Sequence, residues 1–186
     1  MARPDETDCE LVRRARLGAR DAFAALVARH ELGLFRFLRL RLGRADLAEE
    51  VQQDTFVRCW TRLHLYDGLR PFAAWLYRMA ANLASNHRRQ AQQQAAEPLA
   101  DVAGGADPAL ALAARDARAN LWDVAQRALP PEACSALWLF YADDLSAAAI
   151  GEILGKSEGA VRVLLHRARA RLAQVLSPAA VSLEVR

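Results

Sequence analysis

The stretch from residue 129 to residue 176 constrains the fold most, because it reads as short helices separated by a tight glycine turn. Ser146 and Ser157 each precede a helical segment, where a serine hydroxyl can accept hydrogen bonds from the free amides of the first turn. Gly155 lies between the segments and can end the first helix in the left-handed conformation. Gly151 lies where the two helices could cross and would permit a close approach. The apolar residues of the first helix recur at helical spacing: Ile150, Ile153 and Leu154.

The second helix of this pair has an apolar stripe and a largely cationic remainder. The stripe consists of Val161, Leu165, Ala168 and Leu172, and the residues outside it include Arg162, His166, Arg167, Arg169 and Arg171. A helix-turn-helix places such a second helix in the major groove of DNA. The first three cations would face the groove, and the last two would meet phosphates or solvent. The alternative is a solvated arginine face on an ordinary bundle helix, but the capped turn favours DNA recognition.

Composition sets wide limits on the fold and the partner. At 186 residues and 20.5 kDa the chain suffices for one domain or two small ones. No run alternates with period two, so the sequence predicts an all-α fold. A net charge of +3 and a pI near 9.0 permit a polyanionic partner without requiring one. The cysteines lack metal-ligand spacing, which predicts no metal site and reduced, mostly buried thiols at Cys9, Cys59 and Cys134.

Features typical of export, membrane insertion and catalysis are missing from the sequence. The N-terminus is polar, and no apolar run approaches the roughly 20 residues that span a bilayer, so we expect a cytoplasmic protein. No phosphate-binding glycine loop, carboxylate pair or nucleophile motif stands out. We therefore expect no enzyme, no cofactor and no small-molecule substrate. The histidines are scattered along the chain: His30, His64, His87 and His166.

A change in composition divides the chain near its middle. Residues 91–109 are rich in small residues, with two prolines and a Gly-Gly pair, and predict a flexible linker. The predicted domains are therefore residues 1–90 and 110–178, followed by a tail at 179–186. The linker acids give it a negative character between two basic halves: Glu97, Asp101 and Asp107.

The N-terminal half predicts four helices. Thr7 and Glu10 form a capping-box pattern at the start of a short first helix. Asp46 and Glu49 predict a similar cap-like pair for the third helix, and Pro71 fits the first position of the fourth. The second helix, predicted at 21–42, leads into a basic end with Arg36, Arg39, Arg41 and Arg44.

Two groups of motifs resemble domains of bacterial sigma factors. Asp46, EVQQDTF at 50–56, Trp60, YDG at 66–68 and FAAWLYRMAAN at 72–82 resemble the second domain. LPPE at 129–132 and the segment 146–172 resemble the fourth. With no other folded domain between them, the chain resembles the small extracytoplasmic-function (ECF) class of the sigma-70 family. The resemblance implies two helical domains joined by a flexible linker. It also implies an alternative sigma factor that binds core RNA polymerase and directs promoter-specific initiation.

The resemblance assigns roles within the first domain. The acidic face of the third helix docks on a coiled coil of the largest polymerase subunit in the family, and the matching residues are Glu49, Glu50, Gln53 and Asp54. The following loop binds the separated minus-ten element, where a flipped base needs polar edges and a stacking surface; the matching residues are Tyr66, Asp67, Gly68, Arg70 and Phe72. The end of the fourth helix could hold the upstream duplex through Asn82, Asn86, Arg88 and Arg89. Trp75 is expected in the core.

The resemblance also assigns minus-thirty-five recognition to the second helix of the helix-turn-helix, through Ser157, Arg162, Val163, His166 and Arg167. Val163 and Leu164 depart from the small polar residue and the basic residue common in the family. Ala149 and Lys156 likewise replace a frequent glutamate and a usual apolar residue. These departures predict weakened or redirected recognition, although Val163 can still contact a thymine methyl group.

The family also implies an anti-sigma protein, free or membrane-bound, that clamps one or both domains and keeps the factor idle. Two alternatives use the same features differently. A conventional helix-turn-helix regulator would bind DNA without polymerase. A helical adaptor would bind protein alone and use its basic faces for solubility.

Overall fold

The computed structural model describes residues 6–94 and 117–177. These residues contain helices and turns but no strand, which confirms the all-α prediction for the described part of the chain. They fall into two compact units, one within Met1–Leu99 and the other within Ala100–Arg186.

Unit 1 contains the four predicted helices, with one extra short turn. These elements are α1 (Asp8–Arg16), α2 (Arg20–Leu42), α3 (Ala45–Arg62), a 3₁₀ turn (Leu63–Leu65) and α4 (Phe72–Gln94). The long helix α2 packs against α1, α3 and α4. The rings of Phe37 and Tyr77 meet edge to face, with centroids 5.0 Å apart. The largest buried side chains of this core are Leu11, Leu26, Leu34, Phe37, Leu38, Val51, Leu76 and Tyr77.

The helix starts of unit 1 agree with the sequence at α1 and differ at α3. The Thr7 hydroxyl accepts from the Glu10 amide at 3.3 Å, and the Glu10 carboxylate accepts from the Thr7 amide at 2.7 Å, which confirms the capping box. The predicted cap-like pair at α3 is wrong. Arg44 is the N-cap residue, and Asp46 lies within the first turn and pairs with the Arg44 guanidinium.

Helix α4 differs slightly from its predicted bounds at both ends. It begins at Phe72, and the carbonyl of Pro71 accepts from the Trp75 amide at 3.3 Å, so the proline precedes the first helical residue. It continues to Gln94, past residue 90, where the first domain was expected to end. The predicted linker residues 95–109 with their three acids, the start of the second domain at 110, and the tail 179–186 lie outside the described residues.

Unit 2 consists of α5 (Ala117–Ala128), α6 (Pro131–Tyr141), α7 (Ala147–Leu154) and α8 (Glu158–Leu176). Helix α8 packs against the other three helices, and α6 is buried along most of its length. The rings of Trp122 and Trp138 lie 5.0 Å apart between centroids. Further buried core residues are Ala125, Leu137, Leu139, Ile150, Ile153, Val161, Leu165 and Ala168.

Helices α7 and α8 form the predicted helix-turn-helix with the predicted caps. The hydroxyl of Ser146 accepts from the Ala149 amide, and that of Ser157 accepts from the Ala160 amide, both at 3.2 Å. Gly155 is left-handed with φ 68°.

Gly151 does permit a close approach, both to the turn and to the start of the second helix, since the Glu158 nitrogen would lie 3.6 Å from an added Cβ atom. A Cβ atom at this position would lie 2.5 Å from the carbonyl oxygen of Lys156. The Lys156 amide also donates to the Gly151 carbonyl at 2.8 Å. The turn therefore folds back on α7, and only glycine fits there without a shift of the backbone.

Candidate nucleic-acid and protein-binding surfaces

The outer face of α3 is acidic and exposed. The four residues predicted for polymerase docking, Glu49, Glu50, Gln53 and Asp54, all lie on the surface. Their spacing places them together, because residues four apart are neighbours on a helix. The other side of α3 faces the core and buries Ala48, Val51, Thr55 and Cys59. The helix thus presents a continuous acidic surface on a rigid support.

The loop between α3 and α4 rests on a cluster of aromatic rings. Tyr66 and Phe72 are each 2% exposed. Their rings meet edge to face at 5.7 Å, and Trp75 packs at 5.4 Å from Tyr66. His30 of α2 lies 5.4 Å from the Phe72 ring. The two aromatics that were predicted to contact DNA offer no open ring face in this structure, and they support the loop from below.

Side-chain hydrogen bonds close the loop into a compact turn. The Tyr66 hydroxyl donates to the Arg70 carbonyl at 2.5 Å, and the Asp67 carboxylate accepts from the Leu69 amide at 3.0 Å. Gly68 has φ 74°, which a side chain would disfavour. The pKa of Tyr66 is raised to about 12, mainly by burial of the hydroxyl. The hydroxyl therefore keeps its proton and remains a donor.

The tip of the loop is open to a ligand. Asp67, Gly68, Leu69 and Arg70 are all exposed, and Leu69 is 86% exposed. Leu69 is not among the residues predicted from the sequence. Its signal was an apolar residue inside an otherwise polar loop. A large apolar group held at the tip of a rigid turn can insert between bases or stack beneath one.

The basic end of α4 forms a cleft with α2. The predicted duplex-binding residues Asn82, Asn86, Arg88 and Arg89 are all exposed on α4. Arg41 of α2, which was noted only as part of a basic helix end, donates to the Ser85 hydroxyl at 3.3 Å. The Ser85 hydroxyl in turn donates to the Ala81 carbonyl at 2.7 Å. The cleft of about 190 Å³ is lined by Arg41, Leu42, Ala84, Ser85, Arg88 and Arg89.

Helix α8 presents the predicted reading residues on its outer face. Arg162, Val163, His166 and Arg167 are exposed, and Val163 is 50% exposed. Arg162 pairs with Glu158 one turn earlier. The Ser157 hydroxyl caps the helix by accepting from the Ala160 amide, which leaves its O–H group able to donate. Leu164, beside the buried stripe, is half-buried.

Two further basic residues of unit 2 form contacts within the unit. Arg169 donates to the Leu165 carbonyl at 3.2 Å and to the Tyr141 hydroxyl at 3.3 Å, so it has protein partners besides the predicted phosphates or solvent. Lys156 pairs with Glu132 at the start of α6, with 3.3 Å between nitrogen and oxygen. This ion pair provides a partner for the charge of Lys156, which stands where the family commonly has an apolar residue.

The described residues contain no group of three or more histidine, cysteine or acidic side chains that could hold a metal ion. Cys59 and Cys134 are buried and Cys9 is exposed, all as free thiols. In the part of the chain that the structure describes, no helix combines the length and the apolar character that crossing a membrane requires.

Two family models match the chain in order. The model of sigma-70 region 2 matches residues 26–94, and that of sigma-70 region 4 matches residues 123–172. The ECF RNA polymerase sigma factor SigM of Mycobacterium tuberculosis is 30% identical over 177 residues, which cover 94% of this chain and 87% of SigM. The ECF sigma factor BldN of Streptomyces coelicolor is 30% identical over 173 residues, which cover 90% of this chain and 65% of BldN.

A solved structure is also similar to this chain. In the complex of CnrH with the cytosolic domain of CnrY, CnrH is 29% identical, with a TM-score of 0.65. The match covers 92% of this chain and 97% of CnrH.

Proposed function

Because this chain belongs to the ECF class of sigma-70 RNA polymerase sigma factors, we propose that it binds core polymerase and holds two promoter elements at once. The observation that carries this proposal is the presence, in one chain, of both sigma regions with exposed surfaces suited to their ligands. Unit 1 takes the minus-ten element and unit 2 the minus-thirty-five element. Two modest affinities then combine through the chain that links them.

Core polymerase binds the acidic face of α3. Glu49, Glu50 and Asp54 supply negative charge, and Gln53 adds a polar group between them. Such a face suits a basic partner surface, because charge complementarity steers the encounter and fixes the register. Since the face lies opposite the buried side of α3, docking would leave the core of unit 1 undisturbed.

The loop of unit 1 captures an unstacked base of the minus-ten element. Asp67 and Arg70 supply an acceptor and donors for a base edge, and Leu69 supplies an apolar surface beside them. A flipped base requires this combination of polar edges and packing surface. The buried rings of Tyr66 and Phe72 keep the loop in place instead of stacking on the base.

The cleft between α2 and α4 holds the duplex just upstream of the separated strands. Arg41, Arg88 and Arg89 line it together with the Ser85 hydroxyl, and none of its described lining residues is acidic. Guanidinium groups of this kind bind phosphate oxygens and set the register of a protein on DNA. Asn82 and Asn86 extend the surface along the same helix and can reach base edges.

Helix α8 reads the minus-thirty-five element in the major groove. Arg162, His166 and Arg167 provide hydrogen-bond donors, and Val163 provides an apolar contact for a thymine methyl group. Ser157 fixes the start of the helix through its cap and stands close to the groove.

The remaining parts of the proposal follow from the family. The factor catalyses no reaction itself and works in the cytoplasm beside core polymerase. A partner protein keeps it idle until a signal arrives. Support for this partner comes from CnrH, whose solved structure contains the cytosolic domain of CnrY.

Co-purification with core polymerase tests the proposal. Replacing Glu50 and Asp54 by arginine places like charges against a basic partner, so binding should weaken on the order of 100-fold. Glu31→Arg, on the exposed part of α2, is the control for a charge reversal elsewhere in unit 1. Both variants should keep their circular-dichroism helix signal.

The wild-type holoenzyme should also initiate at defined promoters whose two elements can be mapped. Undiminished core binding by the double variant would contradict the docking assignment. A wild-type chain that shifts duplex DNA but never joins core would instead be a conventional regulator.

A further inference from the structure

Arg16, at the end of α1, reaches across unit 1 to the turn that follows α3. Its Nε donates to the Leu63 carbonyl at 3.0 Å, and its Nη2 donates to the His64 carbonyl at 2.8 Å. The same Nη2 also donates to the Tyr66 carbonyl. One guanidinium therefore binds three carbonyl groups of a segment that lies 47 to 50 residues further along the chain.

These carbonyls need a donor for a general reason. The last carbonyl groups of a helix have no partner within the helix, and they form its negative end. The 3₁₀ turn Leu63–Leu65 directly follows α3; its Leu63 carbonyl also accepts from the Tyr66 amide at 3.3 Å, and the His64 and Tyr66 carbonyls lie at the end of the turn. A cationic side chain satisfies them with charge-assisted hydrogen bonds, which are stronger than neutral ones. Arginine suits the task better than lysine, because its planar fork presents several donors in fixed directions.

The contact with Tyr66 extends the influence of Arg16 to the tip of the loop. The Tyr66 carbonyl begins the loop, and the Tyr66 hydroxyl donates to the Arg70 carbonyl at its other end. The ring between these two groups is buried against Phe72 and Trp75. Fixing the Tyr66 backbone therefore fixes both ends of the turn that exposes Asp67 and Leu69.

We propose that Arg16 is a positioning residue for base capture: it touches no DNA and holds the loop of unit 1 in the geometry that a flipped base requires. This inference rests on the proposed function of the loop. Recognition of a base edge needs polar groups held to a fraction of an ångström by supporting residues. In this assignment α1 belongs to the minus-ten reading apparatus, although its contacts are with α2 and the turn.

The test compares Arg16→Gln with Arg16→Lys and with Arg13→Gln in the holoenzyme. Arg13 is exposed on the same helix and serves as the control for the loss of one positive charge from α1. The readout is the ratio of affinities for pre-melted promoters with the preferred base and with each substituted base, at every minus-ten position. Core affinity and the melting temperature of each variant are measured in parallel.

Arg16→Gln should lower the discrimination ratio at one minus-ten position by about tenfold, the effect of losing one charge-assisted contact. Arg16→Lys should retain part of the wild-type discrimination ratio, and Arg13→Gln should leave that ratio unchanged. Core affinity should be the same in all variants. A merely structural role would lower the melting temperature but not the ratio.

An unchanged ratio in Arg16→Gln, or an equal drop in Arg13→Gln, would overturn the inference. If Arg16→Gln does not fold, Arg16→Lys decides: it keeps the charge but loses the fork, so a ratio equal to that of the wild type also overturns it. These outcomes differ from a failure of the proposed function. In that case the wild-type holoenzyme itself would show no base preference at the minus-ten element.

Discussion

The loop of unit 1 that we propose for base capture and the turn of the helix-turn-helix in unit 2 are both short connections beside candidate DNA-binding groups, yet different contacts hold them. The loop depends on distant residues: Arg16 from α1 binds its carbonyls, and a buried aromatic cluster supports it. The turn depends mainly on neighbours, because Ser146, Gly155 and Ser157 each act within four residues of their own position, and Lys156 adds one ion pair to Glu132 of α6. Long-range contacts thus order the loop, and local caps order the turn.

This difference has consequences for how each unit tolerates substitution. A cap or a glycine acts through one or two hydrogen bonds or one steric contact, so its loss is confined to its own helix. A side chain that joins several elements couples them, so its loss spreads to the loop that it supports. We therefore expect changes in the turn to alter the stability of unit 2, and changes around the loop to alter base recognition.

Each unit contains one buried thiol that reports on its opening. Burial raises the pKa of Cys59 in unit 1 to about 12 and that of Cys134 in unit 2 to about 11. Only the thiolate reacts with an alkylating reagent, so these groups react when their own unit opens. Peptide mass spectrometry separates both from the exposed Cys9.

The largest effect is expected for Gly151→Ala. The added Cβ would lie 2.5 Å from the Lys156 carbonyl oxygen, a backbone atom that cannot move alone. Forcing an atom into a packed site typically costs about 1–3 kcal/mol, and we expect the upper end here. Alkylation of Cys134 should then accelerate on the order of 100-fold, whereas that of Cys59 should not change.

Gly159→Ala is the matched control, because a Cβ at Gly159 meets no atom within 4 Å. This variant should not accelerate the alkylation of Cys134, since alanine is favoured over glycine in a helix. Equal acceleration by both alanine variants would show that crowding of the turn is not the cause. Faster alkylation of Cys59 would show that the effect of a local contact is not confined to unit 2.

The sequence predicted the local features of both units and missed the distant ones. Ser157 and Gly155 were identifiable because capping depends on the chemistry of a residue beside its own helix. The partners of Arg16 and Arg41 could not be identified, since they lie on other helices. Asp46 was misassigned because an acid in the first turn fits the pattern of an N-cap residue, which here is Arg44.

The sequence indicates which residue types lie in the candidate site, but it does not indicate which of them are exposed. The family resemblance predicts base contacts for Tyr66 and Phe72, but aromatic rings in a loop can either stack on DNA or pack inside the protein. The sequence does not decide between these two roles. In this structure each residue is only 2% exposed, so both rings pack inside the protein. Leu69 illustrates the converse: an apolar residue in an otherwise polar loop is a recognisable signal, but the sequence does not show that this side chain is 86% exposed.

The next largest effect is expected for Arg162→Ala, which tests whether unit 2 reads bases. Loss of a bidentate base contact should cost about 1–3 kcal/mol of promoter affinity and relax the preference at one or two base pairs. The stability of α8 should hardly change, because the exposed Glu158 pair contributes less than about 1 kcal/mol. Binding of the holoenzyme to promoters with substituted minus-thirty-five bases gives the measurement.

Arg171→Ala is the control, since Arg171 is exposed further along α8 and is expected at phosphates or in solvent. A phosphate contact would weaken all sequences alike and reduce the salt slope by about 1. If Arg162→Ala behaves in this way, Arg162 does not read a base.

A smaller effect is expected for Tyr66→Phe, which removes one hydrogen bond of the loop and keeps the buried ring. The lost bond to the Arg70 carbonyl should cost about 1 kcal/mol of unfolding free energy, measured with urea. Open-complex formation, read from permanganate footprints, should slow as the loop loosens. If stability falls while the footprints stay the same, the hydroxyl does not position the loop for base capture.

The wild type and Tyr66→Phe can also be compared for the pH dependence of their stability. The folded pKa of Tyr66 is raised from 10.0 to about 12, mainly by burial, so the unfolded chain releases this proton first as pH rises. The contribution of Tyr66 is therefore fully present below pH 10 and is lost between about pH 10 and 12. Tyr66→Phe should lose less stability over this range than the wild type. Equal losses would mean that the Tyr66 hydroxyl is not buried in solution.

The smallest effect is expected for the paired change Val163→Ser with Leu164→Arg. It introduces a polar and a basic residue, the types common at these positions in the family, on the outer part of α8, where Val163 is 50% exposed and Leu164 is half-buried. The new arginine should reach a phosphate or a base edge, strengthen duplex binding several-fold and steepen the salt slope by about 1.

The single variants separate the two contributions of this pair. Val163→Ser alone should reduce the preference for a thymine at one position, because it removes an apolar contact with the methyl group. Leu164→Arg alone should strengthen binding to all sequences. Should the double variant leave DNA affinity unchanged but disrupt binding of a protein partner, α8 serves a protein surface, and the assignment of minus-thirty-five recognition to unit 2 fails. The contrast between a loop ordered from a distance and a helix ordered by its own caps would then no longer be one between two DNA-reading sites.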